Sequence, residues 1–225
     1  MCGVIGVHLE EVYAEDLEMV KRLFRESMIR GKHATGVTYL SCGKLYTHKE
    51  PIAAYEFIEK YDPREFVDPA TQKMTMIGHI RYSTSDLRYN QPFQGRETAI
   101  AHNGVISQDP AIWEYETETL NDSELILRCI EAGDTPLEKY RDRSMAVVAI
   151  DGGELTAFRN HERPLWMANR KNGMVFASTR DILRRAGIAD NVSSCEPLVK
   201  YTFGGFGLHM DRTYFDPELA DLQPC

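Results

Sequence analysis

The sequence lacks the features that most readily assign a function. It has no dense Lys/Arg cluster and a net charge of −8, so a nucleic-acid partner is not expected. Its apolar runs are far shorter than the roughly 20 residues of a membrane-spanning helix, so no membrane partner is expected either. It contains no CxxC, HExxH or paired Cys/His spacing, so we expect neither a metal site nor another cofactor.

Cysteine is also sparse, with five residues in 225. An odd count at wide spacing, without an N-terminal secretory signal, predicts reduced thiols and a cytoplasmic location. The five are Cys2, Cys42, Cys129, Cys195 and Cys225.

The remaining composition, 43% hydrophobic and 27% charged, is typical of a globular domain. No linker or internal repeat divides the chain, so we predict one domain over residues 1–225, with a core to about 210, a tail from 211 and no synthase domain. Blocks of hairpin-like strands alternate with helices, which favours an α+β fold with antiparallel sheets. Periodicity predicts helices at 14–30, 51–61, 123–132 and 179–186, and strands that include 4–9, 35–41, 73–82, 97–102 and 144–150.

The chain begins Met1-Cys2-Gly3. Removal of a methionine before a small residue would leave Cys2 with a thiol nucleophile and a free α-amine, whose pKa is about 8. An adjacent amine can accept the thiol proton and activate the nucleophile. The alternative is a cysteine that stands second by chance, so the rest of the chain must decide.

Two segments could hold a charged substrate. Gly78–Thr84 ends a predicted strand, and Arg81 within it could bind a carboxylate through two parallel hydrogen bonds. Asn121–Glu124 begins a predicted helix and includes Asp122. The alternatives are a surface ion pair for Arg81 and a helix cap for Asp122.

Two further segments contain glycine at the end of an element. In Ala101–Gly104, the Asn103 amide and the Gly104 N–H could form an oxyanion hole, although an Asn-Gly turn is the simpler interpretation. Arg30–Gly36 follows the first helix, and its Gly31 is expected as the helix C′ residue.

In this order the segments resemble the class II glutamine amidotransferase domain of the N-terminal-nucleophile (Ntn) hydrolases. The same domain forms the glutaminase parts of glucosamine-6-phosphate synthase, glutamine phosphoribosylpyrophosphate amidotransferase and asparagine synthetase. The resemblance extends through Phe158–Leu183 and covers the chain to about residue 210. It implies a four-layer αββα sandwich of two antiparallel sheets flanked by helices.

The resemblance also implies roles. Cys2 would attack the side-chain amide of L-glutamine and form a γ-glutamyl thioester, with Asn103 and Gly104 stabilising the oxyanion. Arg81 would bind the substrate carboxylate and Asp122 its ammonium group. Ser83 and Thr84 would make secondary contacts. The chain departs from the family pattern at positions that include His33, Tyr82 and Ser85.

Three functions remain open at this point. The first is a stand-alone glutaminase that passes ammonia to a synthase on another chain. The second is a self-sufficient hydrolase of γ-glutamyl compounds, and the third is a catalytically silent regulatory or binding subunit. The sequence names no ammonia acceptor, and a homo-oligomer is possible.

Overall fold

The computed structural model describes residues 1–82, 90–204 and 210–215. Ser83, Thr84 and Ser85 therefore lie outside the described residues. The α-helices are α1 (Ala14–Ser27), α2 (Ala54–Lys60), α3 (Glu124–Glu131), α4 (Pro136–Lys139) and α5 (Arg180–Arg185). Short 3₁₀ helices lie at Pro63–Phe66 and Pro110–Ile112. The strands are β1 (Gly3–Leu9), β2 (Ala34–Ser41), β3 (Lys44–Glu50), β4 (Met74–Arg81), β5 (Phe93–Gln94), β6 (Thr98–Val105), β7 (Ser144–Asp151), β8 (Glu154–Arg159), β9 (Trp166–Arg170), β10 (Gly173–Ala177), β11 (Val192–Ser194), β12 (Val199–Phe203) and β13 (Met210–Tyr214).

The strands form two antiparallel sheets. Sheet A has seven strands in the order β11-β9-β10-β1-β4-β2-β3, and sheet B has six in the order β13-β12-β8-β7-β6-β5. Strand β1 is central in sheet A, with β10 on one side and β4 on the other. The N-terminal segment is thus held between two neighbours.

Three apolar clusters define four layers. Small and branched side chains of both sheets, such as Val4, Ala101 and Val148, form the cluster between the sheets. Helices α1, α2 and α5 cover the outer face of sheet A, and α3 and α4 cover that of sheet B. The predicted α+β sandwich of two antiparallel sheets flanked by helices is confirmed.

Helix α1 shows how the local sequence produces this layer. Met19, Val20, Leu23 and Phe24 recur at helical spacing and are buried against sheet A. At the N-terminal end, the Asp16 carboxylate accepts a hydrogen bond from the Tyr13 backbone N–H (3.0 Å), so it satisfies a donor that the helix itself leaves unpaired. The helix was predicted well because its apolar pattern is long and regular.

Several predicted ends were wrong. Helix α1 ends at Ser27 rather than Arg30, and Gly31 is not a C′ residue of positive φ. Strand β6 continues through Asn103 and Gly104 to Val105, because this segment pairs with β7 instead of turning. Part of the expected tail, residues 211–214, belongs to β13, which pairs with β12.

Within the described residues, no helix has the length and apolar character to cross a membrane. The same residues contain no group of three His, Cys, Asp or Glu side chains that could hold a metal ion.

Candidate active site

Cys2 lies at the start of β1, beside the end of β4. Gly3 pairs with Ile80 and Val4 pairs with His79, so the next position of the register sets Cys2 opposite Arg81. The Cys2 side chain is half-buried, and its Sγ lies 3.9 Å from the Tyr82 carbonyl oxygen. The Cys2 thiol and the Arg81 guanidinium therefore belong to neighbouring residues at the same end of sheet A.

The loop after α1 holds this end in place. Arg30 Nε donates a hydrogen bond to the Cys2 carbonyl oxygen (3.2 Å). A Cβ at Gly31 would lie 2.4 Å from the Arg81 carbonyl, so only glycine lets the loop approach the end of β4 this closely. The Arg30–Gly36 motif therefore does more than follow helix α1, because it contacts the backbone of Cys2 and Arg81.

In this structure Met1 precedes Cys2, so the Cys2 nitrogen is a peptide nitrogen. The Met1 side chain is 61% exposed, and its sulfur accepts hydrogen bonds from Arg163 Nη1 (3.3 Å) and Arg30 Nη2 (3.6 Å). Two guanidinium groups thus lie beside the N-terminal residue.

Arg81 is buried at the end of β4, with 7% exposure. Its Nη1 donates to the Asn90 side-chain oxygen at 2.8 Å. A guanidinium keeps its positive charge when it is buried, so Arg81 places a cation at this end of sheet A.

Asn103 and Gly104 lie at the end of β6, on sheet B. Asn103 is buried, and among the described residues its Nδ2 has no hydrogen-bond partner. A buried donor without an acceptor is costly for folding, which makes it a marker of function. At Gly104 a Cβ would lie 1.8 Å from the Ser144 carbonyl oxygen, so β6 can approach β7 in this way only with glycine.

His102 precedes these two residues, and its ring lies beside Gly104, where an added Cβ would come within 2.6 Å of His102 Nε2. Its Nε2 contacts the Ser144 carbonyl oxygen (3.3 Å), so Nε2 carries the proton and Nδ1 accepts from the Ser123 hydroxyl (2.9 Å). Burial lowers the His102 pKa to about 4, which keeps the ring neutral. The His102 side chain is thus buried and hydrogen-bonded at both ring nitrogens.

Asp122 lies just before α3, and its side chain is not the helix cap that the sequence suggested. Its Oδ2 accepts from the backbone N–H groups of Ile106 (2.6 Å) and Ser107 (3.1 Å), beyond the end of β6. The Asn121 side chain instead accepts from the Ser123 N–H. Desolvation by burial raises the Asp122 pKa, and these backbone hydrogen bonds oppose that effect.

One pocket joins these elements. Cys2, Arg81, Gly104 and Asp122 all line a pocket of about 360 Å³ between the ends of the two sheets. Arg81 contributes a cation from sheet A, and Asp122 contributes a carboxyl group from the side of sheet B. Asn103 is buried beside Gly104, while Ser83 and Thr84 lie outside the described residues.

His79 is a further member of the pocket wall. It is 1% exposed, and its Nε2 has no hydrogen-bond partner among the described residues. Burial, with the neighbouring charge of Arg81, lowers its pKa to about 3. The described residues therefore leave this ring nitrogen unsatisfied, in contrast to the ring of His102.

The sequence reasoning did not single out Asn90 or Gln91, which contact Arg81 and His102 respectively. Both lie in a polar stretch without periodicity, so no local pattern distinguished them. Arg30 belongs to the Arg30–Gly36 motif, but the sequence did not predict its contact with the Cys2 carbonyl oxygen.

Comparisons with known proteins concern the fold. No family model and no curated protein matches the sequence. The structure is similar to glutamine phosphoribosylpyrophosphate amidotransferase from B. subtilis (TM-score 0.72, 20% identity), covering 96% of this chain and 50% of that chain. It is similar to an allosteric regulatory enzyme of purine biosynthesis (TM-score 0.67, 18% identity, 96% and 49%). A third similar structure is a glutamine aminotransferase class-II domain protein from Silicibacter pomeroyi (TM-score 0.55, 14% identity, 96% and 100%).

The chain thus spans about half of the length of the first two structures. At these sequence identities the similarity shows a shared fold. That fold is the one expected for the family that the motifs resemble. The resemblance is confirmed for the fold: this chain shares the fold of the matched structures, a sandwich of two antiparallel sheets flanked by helices.

Proposed function

We propose that this domain is a glutaminase that hydrolyses L-glutamine to glutamate and ammonia. The observation that carries the proposal is the pocket in which the Cys2 thiol, the Arg81 cation and the Asp122 carboxyl group lie together. An α-amino acid has one carboxylate and one ammonium group, and these match one cation and one anion on opposite walls. Its side-chain amide would then point toward Cys2.

In the proposed reaction, Cys2 Sγ attacks the amide carbon and its proton passes to the Cys2 α-amine. The Asn103 amide and the Gly104 N–H stabilise the oxyanion of the tetrahedral intermediate. That intermediate collapses with cleavage of the C–N bond, and the departing nitrogen takes the proton from the amine to leave as ammonia. Water then attacks the γ-glutamyl thioester, which releases glutamate and restores the thiol.

The Asn103 Nδ2 supports the oxyanion role, because a donor that the described residues leave unpaired can stabilise charge that develops later. The Arg81–Asn90 hydrogen bond supports the carboxylate role, because it orients the guanidinium without neutralising it.

The mechanism has one condition, which is removal of Met1. With Met1 attached, the Cys2 nitrogen is an amide and cannot accept the thiol proton. We expect negligible turnover by Met1-retaining protein, and a normal rate in that form would contradict the proposed base.

We further propose that the domain acts as a unit in the cytoplasm and delivers ammonia to a synthase on a separate chain. Co-purification with a synthase would support this partner. Self-association into a homo-oligomer would be compatible with the same chemistry.

The test uses an electrophilic glutamine analogue with a diazoketone in place of the amide, followed by mass spectrometry of the N-terminal peptide. We expect one adduct on Cys2 and a loss of glutaminase rate of at least about 1000-fold in Cys2→Ala. Cys42→Ala is the matched control, since this thiol is exposed and lies at the other end of β2.

Three results would count against the proposal. The absence of an adduct, or an unchanged rate in Cys2→Ala, would exclude the enzyme and leave a binding or regulatory role. A strong preference for γ-glutamyl dipeptides over glutamine would replace the glutaminase with a γ-glutamyl hydrolase.

A further inference from the structure

The short segment Asn90–Pro92 runs between the edges of the two sheets. On the side of sheet A, Lys49 Nζ on β3 donates to the carbonyl oxygens of Asn90 (3.1 Å) and Pro92 (3.2 Å). A Cβ at Gly36 would lie 2.2 Å from the Gln91 carbonyl oxygen, so β2 also contacts the segment closely. On the side of sheet B, the chain continues directly into β5.

The side chains of Asn90 and Gln91 contact opposite walls of the pocket. Asn90, which is 6% exposed, places its Oδ1 at 2.8 Å from Arg81 Nη1. This hydrogen bond helps to orient the guanidinium that would bind the substrate carboxylate. Asn90 therefore acts on the sheet A wall of the pocket.

Gln91 acts on the opposite wall. Its Oε1 accepts from the His102 backbone N–H (2.7 Å), and its Nε2 donates to the His102 carbonyl oxygen (3.2 Å) and to the Ser123 hydroxyl (3.0 Å). His102 precedes Asn103, and Ser123 follows Asp122. One buried amide thus ties the oxyanion strand to the residue next to the proposed ammonium contact.

We propose that Asn90 and Gln91 are positioning residues that fix the span between Arg81 and Asp122, and thereby restrict the substrate to amino acids with a free α-carboxylate and a free α-ammonium group. The inference rests on the proposed function. Because both Gln91 N–H groups are used by the protein, Gln91 acts through its neighbours. Since the two residues are adjacent, the two walls cannot shift apart without breaking a hydrogen bond to one of them.

The experiment compares three amides: L-glutamine, 4-carbamoylbutanoate, which lacks the ammonium group, and 4-aminobutanamide, which lacks the carboxylate. In Gln91→Met, which keeps the length of the side chain but none of its hydrogen bonds, we expect the preference for glutamine over 4-carbamoylbutanoate to shrink by about tenfold. The loss should fall on KM more than on kcat, because the nucleophile is untouched.

Gln94→Ala is the matched control. Gln94 lies on β5 and bonds Thr47 and the Leu45 carbonyl oxygen, away from the pocket. A purely structural role for Gln91 would lower the rate with every substrate equally, as a loss of folded protein does, and leave the preference unchanged. A preference within about twofold of wild type in folded Gln91→Met would overturn the inference.

Asn90→Ala provides a second readout that does not depend on the folding of the Gln91 variant. Here the preference for glutamine over 4-aminobutanamide should shrink by about tenfold, because Arg81 loses its orienting acceptor. An unchanged preference would overturn the role of Asn90. Wild-type protein that neither hydrolyses glutamine nor is labelled at Cys2 would overturn the proposed function, and the inference with it.

Discussion

Strands β1 and β4 lie side by side, and their two ends differ. At one end Cys2 lies beside Arg81, and at the other His8 pairs with Thr75. Both ends contain buried polar side chains next to a cavity, of about 360 Å³ at the Cys2 end and about 200 Å³ at the His8 end. They therefore offer a comparison within one pair of strands.

At the His8 end the polar groups satisfy one another. His8 Nδ1 contacts the Thr75 hydroxyl (2.9 Å), and its Nε2 contacts Glu10 (3.1 Å). Glu10 in turn pairs with Lys73 at 2.6 Å. Burial lowers the His8 pKa, while the hydrogen bond with Glu10 opposes that shift. This end has the character of a structural network.

At the Cys2 end, buried polar atoms are left without partners. Neither Asn103 Nδ2 nor His79 Nε2 has an acceptor or donor among the described residues. Leaving such groups unpaired costs stability, and the paired end shows that this fold can satisfy a buried histidine. The comparison teaches that unsatisfied polarity, rather than burial or cavity volume alone, distinguishes the candidate site.

The largest expected effect tests the unpaired donor. Asn103→Ala should reduce kcat for glutamine by about 10²–10³-fold if the proposed oxyanion donor is lost. The unfolding free energy should change little, since Nδ2 makes no hydrogen bond with the described residues. Urea denaturation and steady-state kinetics measure both quantities. A large loss of stability with an unchanged rate would make the Cys2 end resemble the His8 end.

The second effect is the acid sensitivity of the buried imidazoles. The pKa values of His79 and His102, about 3 and about 4, lie below the ordinary value of 6.5. Below pH 6.5 the unfolded chain therefore binds more protons than the folded protein. Stability is complete above that pH and is lost toward pH 4, by roughly 1.4 kcal/mol per pH unit for each histidine.

Urea unfolding at pH 7 and pH 5 measures this loss, with His79→Gln and the exposed His161→Gln as a pair. Only the first variant should reduce the dependence on pH. Equal behaviour of the two variants would show that burial of His79 does not keep it neutral.

The third effect concerns the His8 end, where the polar side chains are hydrogen-bonded to one another. Thr75→Val removes the hydroxyl that contacts His8 and should lower the unfolding free energy by about 1 kcal/mol. Glutaminase activity should stay within about twofold of wild type once the folded fraction is equal. A selective loss of activity in fully folded protein would show that the His8 end also contributes to function.

The smallest expected effect is a loss of affinity for glutamine at low pH. In its proposed role Asp122 would bind an ammonium group only when it is charged, and burial raises its pKa above the ordinary 3.8. Affinity should therefore fall as pH decreases through that raised pKa, and KM measured against pH would show it. In Asp122→Asn, KM should be high at every pH. A wild-type KM that does not change through this range would remove Asp122 from the binding site.

The sequence predicted the parts of the fold that depend on local pattern. Helix α1 and strand β4 carry regular apolar periodicity, and their cores were placed correctly. Its errors concern Gly31 and Gly104, which resemble a helix end and a turn when only neighbouring residues are considered, and the cap that was the alternative for Asp122 is wrong for the same reason. Each of them instead contacts a strand or loop distant in sequence.

The candidate site was predictable in part for the same reason. Cys2, Arg81 and Asp122 belong to short motifs that resemble a known family, and they line one pocket. The contacts of Asn90 and Gln91 depend on how a polar stretch runs between two sheets. Neither propensity nor periodicity contains that information.

The central place of β1 in sheet A has a consequence for synthesis on the ribosome. Val4 and Ser178 exchange hydrogen bonds although they lie 174 positions apart, and β10 pairs with β1 on one side. Strand β1 is synthesised well before β10, so β1 must wait for β10 before the pairing on this side can form. Such distant pairing slows folding. A nascent chain that ends before β10 would therefore hold Cys2, the proposed nucleophile, next to a strand that lacks one of its two neighbours.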